Sequence, residues 1–289
     1  MRRALEPLPE GVALVAEPEA GVEMLVVTLE IANNLTSYLD RLPGLKVVQS
    51  LSAGVDWLLP QIPRGVVVCK SVGVHDGPVA EWVVAAILAM QRRLPEFLEF
   101  QRQAEWNRGL AEADAIDDLE SHTVVVLGYG SIGRALATRL APFGVRTIGV
   151  AHHPREDAHP VSALPSLLPQ ADVVVDLLPL TPDTDGFVDK AFLAQMKPGA
   201  LFVNAGRGRT VDTAALVEAL HSGRIRAALD VTDPEPLPSN HALWSAPNLL
   251  ITPHIAGSVE RWKERGCRFV GDQIRRYAAG EPLLGVVGP

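Results

Sequence analysis

Cysteine is nearly absent: Cys69 and Cys267 are the only two in 289 residues, and no C-x-x-C spacing joins them. That scarcity argues against a disulfide framework and against a metal site. Long apolar runs are missing as well. None approaches the roughly 20 residues needed to cross a bilayer. The N-terminal Met1-Arg2-Arg3-Ala4-Leu5-Glu6-Pro7 carries charge with no apolar segment behind it, unlike a secretory signal. Positive charge is also in short supply. The 26 Lys and Arg stand against 34 Asp and Glu, a net charge of −8 with no basic cluster, so no nucleic-acid partner is expected. Neither a solenoid repeat nor a low-complexity segment is present. What remains is a chain with 47% hydrophobic and 21% charged residues, a globular composition expected in the cytoplasm and away from membranes. Its length fits about two domains.

The densest signal is Val124-Val125-Val126-Leu127 running into Gly128-Tyr129-Gly130-Ser131-Ile132-Gly133, followed by a helical pattern. Strand, tight turn and helix in that order give G-x-G-x-x-G its meaning as a dinucleotide fingerprint. Gly128 permits the turn, Gly130 lets backbone approach a pyrophosphate, and Gly133 lets helix pack on strand. Free amides at the helix start favour the anion.

Around this motif, short apolar runs alternate with helical patterns. Residues 12–16, 24–28, 46–51 and 65–69 read as buried strands bounded by Gly, Pro or Asn. Residues 80–90 read as an apolar helix, ended by Arg92-Arg93-Leu94-Pro95. From His122 the rhythm resumes, with strands expected near 124–127, 145–151, 171–178, 201–205, 227–231 and 249–252. Strands alternating with helices imply parallel sheets. The expected organisation is a Rossmann-type, doubly wound α/β domain over 92–258. A smaller α/β substrate domain is expected over 1–91, completed by a returning helix in 259–289.

An acidic residue usually follows the fingerprint by about 20 positions and takes the ribose 2′-hydroxyl. Here the second strand ends at Ala151, followed by His152, His153, Pro154 and Arg155, with Glu156 and Asp157 read as past the contact point. His152, His153 and Arg155 suit a 2′-phosphate, which favours NADP over NAD. A polar surface turn is the plain alternative.

Three further segments follow strands, at the edge where open α/β sheets bind ligands. They carry Arg207 in Asn204-Ala205-Gly206-Arg207-Gly208, Glu235 after Leu229-Asp230-Val231, and His254 in Thr252-Pro253-His254. Hydride transfer from a nicotinamide to a carbonyl needs a proton for the developing alkoxide and a fixed charge to orient the substrate. His254 can supply the proton, Glu235 can orient its ring, and Arg207 can bind a 2-oxo acid carboxylate and polarise the adjacent carbonyl. Singly, each is more often a surface residue; together at successive strand ends, they read as a site.

These segments, with Leu178-Pro179-Leu180-Thr181-Pro182 and the stretch from Leu45 to Asp56, make the chain resemble the D-isomer-specific 2-hydroxyacid dehydrogenases over nearly its whole length. The resemblance implies a flavodoxin-like substrate domain, an active site in the cleft between domains, and a homodimer. It also implies a glyoxylate or hydroxypyruvate reductase activity that interconverts a small 2-oxo acid and its D-2-hydroxy acid. Arg207 is implied as substrate-binding and catalytic, Glu235 as partner of the acid and His254 as acid/base. Backbone amides near Ala53 and Gly54 are implied to receive the substrate carboxylate. Asp230 would lie near the nicotinamide, and Leu178, Pro179, Thr184, Ala205 and Gly257 would line the cofactor cleft. One departure is Ala151, where NAD-linked members usually carry Asp. Glu at 235, where related formate dehydrogenases carry Gln, favours hydroxyacid chemistry. Two rivals are a dinucleotide-sensing corepressor-type protein and an NAD-linked reductase of a bulkier 2-oxo acid.

Overall fold

The computed structural model describes residues 5, 7–113, 115–153 and 155–287, so most of the charged N-terminal stretch, and Pro154, lie outside the described residues. The chain forms two compact units, Met1–Asp76 with Val259–Pro289, and Gly77–Ser258.

The first unit is built on β1 (Met24–Val27), β2 (Val47–Ser50), β3 (Val67–Cys69) and, after the chain returns, β11 (Val286–Val287), strands being numbered along the chain. They lie in the order β1-β2-β3-β11. The first three are parallel and β11 is antiparallel to β3, so this sheet departs from the all-parallel expectation at one edge. Leu25, Val27, Val48 and Val68 pack with Leu35, Leu42, Val55 and Leu58 to form its core. Residues 12–16, expected as a strand, join no sheet, and Val15 is 46% exposed. An apolar run makes a strand only where a neighbouring strand takes its backbone groups, and among the described residues none does so here.

The returning helix Trp262–Ala279 is fastened by a buried amide pair. Gln273 Nε2 donates to Gln49 Oε1 at 2.8 Å and to the Leu284 carbonyl at 2.9 Å, while Gln273 Oε1 accepts from the Leu284 amide at 2.9 Å. Both glutamines are fully buried. Their polar atoms tie the C-terminal return to β2 rather than stand unsatisfied.

The second unit contains β4 (Thr123–Leu127), β5 (Arg146–Ala151), β6 (His159–Pro160), β7 (Val173–Asp176), β8 (Leu201–Asn204), β9 (Arg226–Leu229) and β10 (Leu249–Ile251). All pair in parallel, in the order β10-β9-β8-β7-β4-β5-β6. Sequence reading expected six strands and missed β6. That strand has two residues, one of them a proline, which is tolerated only at an edge. Both faces of the sheet are covered, as parallel sheets require. Val124 and Val126 face one apolar cluster and Val125 and Leu127 the other. The central strand β4 is flanked by β5 and β7, so connectivity reverses there and leaves a crevice beyond the carboxyl ends, the ligand position in this architecture.

Helix Asp76–Gln91 belongs almost wholly to the second unit, which moves the expected boundary at 91 back to 76. The reason is packing. Ala80, Val83, Ala86, Ile87 and Met90 lie in one cluster with Val124, Val126, Val173, Val175, Leu201 and Val203 of the large sheet. Glu81, on this helix, is exposed and pairs with Arg139 at 3.2 Å. Among the described residues no helix is long and apolar enough to cross a membrane.

Candidate active site

The glycine turn sits at the switch point, between β4 and helix Ser131–Leu140. Gly128 has φ +77°, and a Cβ there would lie 2.7 Å from the Leu177 carbonyl oxygen, so both conformation and space demand glycine. A Cβ on Gly130 would meet nothing nearer than the Gly128 carbonyl at 3.9 Å, leaving room above the turn for a pyrophosphate. A Cβ on Gly133 would stand 3.4 Å from Val126 of β4, where helix meets strand. The turn therefore fits a dinucleotide.

Its amides divide into two sets. Those of Tyr129 and Gly130 are spent internally, on the Val150 carbonyl at 3.1 Å and the Gly128 carbonyl at 2.7 Å. Those of Ser131 and Ile132 open the helix, where backbone donors lack intrahelical partners. The Tyr129 ring packs over Gly149 of β5, whose absent side chain makes its seat.

Beyond β5, His152 and His153 are exposed and form an edge-to-face pair with ring centroids 4.7 Å apart. Arg155 turns back to the fingerprint, donating Nη2 to the Tyr129 carbonyl. Asp157, read from sequence as past the contact point, comes back as well. It lies 3.7 Å from Arg155 Nε and 3.5 Å from Arg134 Nη1. Arg134, on the fingerprint's own helix, was missed. Its position one residue after Gly133 is the signal that would have found it.

The loops after β7 and β8 are joined by buried polar groups. Asp176, the last residue of β7, is fully buried and pushed up to about 6 by burial, opposed by the Thr210 hydroxyl and the Leu178 amide. Its Oδ1 accepts from the Leu178 amide at 2.9 Å, setting the start of the Leu178-Pro179 segment. Thr184 closes that segment, its hydroxyl donating to the Pro179 carbonyl at 2.6 Å. In β8's loop, Asn204 accepts from the Gly206 amide and donates to the Arg207 carbonyl, each at 2.9 Å. Ala205, between them, is partly buried and gives its amide to the Asp176 carbonyl at 3.1 Å. Arg207 is half-buried and its Nη1 donates to the Gly206 carbonyl at 2.8 Å.

Glu235 and His254 meet. His254 Nδ1 lies 2.6 Å from Glu235 Oε1, which leaves Nε2 as the nitrogen facing out of the pair. The histidine is held from behind by Asp230, a nearly fully buried residue just after β9. The Asp230 carbonyl accepts from the His254 amide at 2.7 Å. The Asp230 carboxylate accepts from the Ile255 amide at 2.9 Å, the Ala256 amide at 2.8 Å and the Thr252 hydroxyl. Asp230 thus clamps the whole His254 loop. Arg207, Glu235 and His254 follow the adjacent parallel strands β8, β9 and β10, and the Gly208 position abuts the Thr232 and Asp233 backbone two residues from Glu235. Gly257, farther along the His254 loop, is partly buried.

In the first unit, Ala53 and Gly54 lie in the bend after β2. Among the described residues no group accepts from either amide. The His75 ring contacts the Leu51 carbonyl through Nε2 at 2.9 Å and faces the Trp262 ring with centroids 6.0 Å apart.

The model of the D-isomer specific 2-hydroxyacid dehydrogenase NAD binding domain matches residues 84–256. The human glyoxylate reductase/hydroxypyruvate reductase is 38% identical over 249 residues, covering 83% of this chain and 76% of its own. Glyoxylate/hydroxypyruvate reductase B of Citrobacter koseri is 35% identical over 291 residues, covering 97% and 89%. Among solved structures, the NADPH-dependent glyoxylate/hydroxypyruvate reductase of Sinorhizobium meliloti, in complex with NADP and sulfate, superposes with a TM-score of 0.83. It shares 30% identity, with 99% of this chain and 93% of that one covered.

Proposed function

The chain belongs to the D-isomer specific 2-hydroxyacid dehydrogenase family, and from that premise we propose that it reduces a small 2-oxo acid, glyoxylate or hydroxypyruvate, to the D-2-hydroxy acid with NADPH. The observation that carries this reading is the 2.6 Å His254–Glu235 pair, clamped by Asp230 on the same sheet edge as the dinucleotide turn. NAD(P)H, when bound, supplies the hydride. His254 Nε2 gives the proton to the substrate oxygen as negative charge develops there. Glu235 holds Nδ1 and so fixes which nitrogen faces the substrate. The Arg207 guanidinium orients the carboxylate and polarises the carbonyl.

NADPH is favoured because Arg155 stands beside the turn with Arg134 close to the same Asp157 carboxylate. Arg155→Ser raises KM for NADPH by about tenfold or more, the loss of a charge-assisted bond to phosphate, and barely changes KM for NADH. Equal changes for both cofactors would remove Arg155 from this role.

Initial rates with each cofactor on glyoxylate, hydroxypyruvate and phenylpyruvate test the whole assignment. Turnover of the two small acids with NADPH is expected. Preference for phenylpyruvate with NADH points to the bulkier-substrate rival, and cofactor binding without turnover to the corepressor type. The relatives described above are reductases, which favours the catalytic reading.

A homodimer suits the exposed apolar set Leu94, Leu98 and Trp106, the last 95% exposed. Sedimentation velocity should give twice the chain mass of 31.0 kDa, and Leu98→Glu with Trp106→Glu should reduce it to one. Two buried, unpaired cysteines suit the reducing cytoplasm.

A further inference from the structure

Thr210 has one hydroxyl proton and two short oxygen contacts. Its Oγ1 lies 2.6 Å from Asp176 Oδ2 and 2.6 Å from the Arg207 carbonyl oxygen. A carbonyl only accepts, and an ionised carboxylate only accepts. With both present, one of the two contacts would set lone pair against lone pair at hydrogen-bond distance. Water offers no way out, because Asp176 and Thr210 are fully buried and Asn204 beside them nearly so. The count closes only if the second proton sits on Asp176.

We propose that Asp176 is a positioning residue. As a neutral carboxylic acid it donates to the Thr210 hydroxyl, which donates to the Arg207 carbonyl and so fixes the loop that presents the Arg207 guanidinium. Asn204 Nδ2 donates to the same carbonyl at 2.9 Å, so Arg207 is held from two directions by buried side chains. The same carboxyl accepts from Leu178 through its other oxygen, which ties the cofactor-side segment to the substrate-side one.

The surroundings suit an uncharged acid. In the sheet, Asp176 is flanked by Leu127 of β4 and Asn204 of β8. The Leu178 amide and Thr210 complete its hydrogen bonds, and none of these groups titrates. The charged residues of the neighbouring turn are Arg207, whose Nη1 donates to the Gly206 carbonyl, and Arg209, which pairs with Asp185. Burial is the main influence on the Asp176 acid, which loses its proton at about 6. Above that pH the remaining hydroxyl proton is drawn to the carboxylate and the Arg207 carbonyl loses one of its donors.

The proposal rests on Arg207 serving the 2-oxo acid reaction, and two readouts separate the claims. Asp176→Asn keeps a donor toward Thr210 and an acceptor toward Leu178 but cannot ionise. The ratio of its kcat/KM to that of the wild type should be near one at pH 5 and rise about three- to tenfold by pH 8, the worth of one hydrogen bond. Ionisations shared by both enzymes cancel in that ratio. Asp176→Val should be impaired at every pH, and Thr210→Ser should behave as the wild type. Infrared difference spectra of wild type minus Asp176→Asn should show the carbonyl stretch of a protonated carboxylic acid at pH 5, lost by pH 8. Absence of that band at pH 5 overturns the proposal, and so does a flat ratio even if the band is present. Should no 2-oxo acid be turned over at any pH, the functional reading falls, and the band alone decides whether the Asp176–Thr210–Arg207 chain stands.

Discussion

His254→Asn lowers kcat for 2-oxo acid reduction by about 10²- to 10⁴-fold, the range for losing a positioned general acid, with little change in KM or in thermal midpoint. The backbone permits this variant. His254 has φ +54°, in the left-handed region where asparagine is among the better-tolerated side chains, so no new strain is introduced. The loop is held by Asp230 through the His254, Ile255 and Ala256 amides, contacts that survive any change of side chain at 254. What disappears is the proton at Nε2. An amide fills much of the same space, keeps a donor toward Glu235 and gives up no proton at neutral pH. A variant with wild-type kcat at saturating substrate would show that the proton comes from elsewhere. A large rise in KM with kcat intact would make His254 a binding residue.

The parts of this molecule that could be read from its sequence are those whose signal is local. Gly128, Gly130 and Gly133 announce themselves because turn, clearance and close packing each need the same residue at a fixed offset. That Arg207, Glu235 and His254 follow neighbouring strands was legible because each comes after an apolar run, and in a parallel sheet every strand delivers its C-terminal residue to one edge. Signals that depend on distant partners were misread. The helix Asp76–Gln91 is apolar nearly all round, and sequence does not say which sheet its Ala80, Val83 and Ile87 will cover. Residues 12–16 have a strand's composition but no strand beside them. Asp157 was dismissed by counting along the chain, whereas the loop folds back and brings it to Arg155. Asp176 stood in plain view as a carboxylate ending Val173-Val174-Val175, and a charge inside an otherwise apolar strand is the signal that was passed over. Its partner Thr210 is 34 positions away, and only the fold joins them.

Gly208→Ala should cost about 10²-fold or more in kcat/KM, the scale of a 1 Å displacement at a reacting centre, and lower stability by about 1–3 kcal/mol through overpacking. Gly208 is absent from the positive-φ glycines, so conformation is not what requires it. Space is. A Cβ at 208 would fall 1.9 Å from the Thr232 carbonyl oxygen, 2.1 Å from its carbon and 2.7 Å from the Asp233 nitrogen. All three are backbone atoms, which cannot turn aside as a side chain can. On the other side of Arg207, a Cβ at Gly206 would lie 2.7 Å from the Leu178 carbonyl oxygen. The two glycines therefore seat Arg207 between the Leu177–Leu178 backbone and the Thr232–Asp233 backbone, which runs on to Glu235. One added methyl group must push Arg207 or the Glu235 loop away, and either movement shifts the Arg207 guanidinium relative to the His254–Glu235 pair, which the proposed reaction needs in place. Gly223→Ala serves as the comparison. It carries the strain of φ +68°, meets nothing within 4 Å and lies after helix Thr213–His221, so it should lose stability and keep its kcat/KM. If Gly208→Ala retains wild-type kcat/KM, the Arg207 loop is not held between these backbones as tightly as the geometry requires.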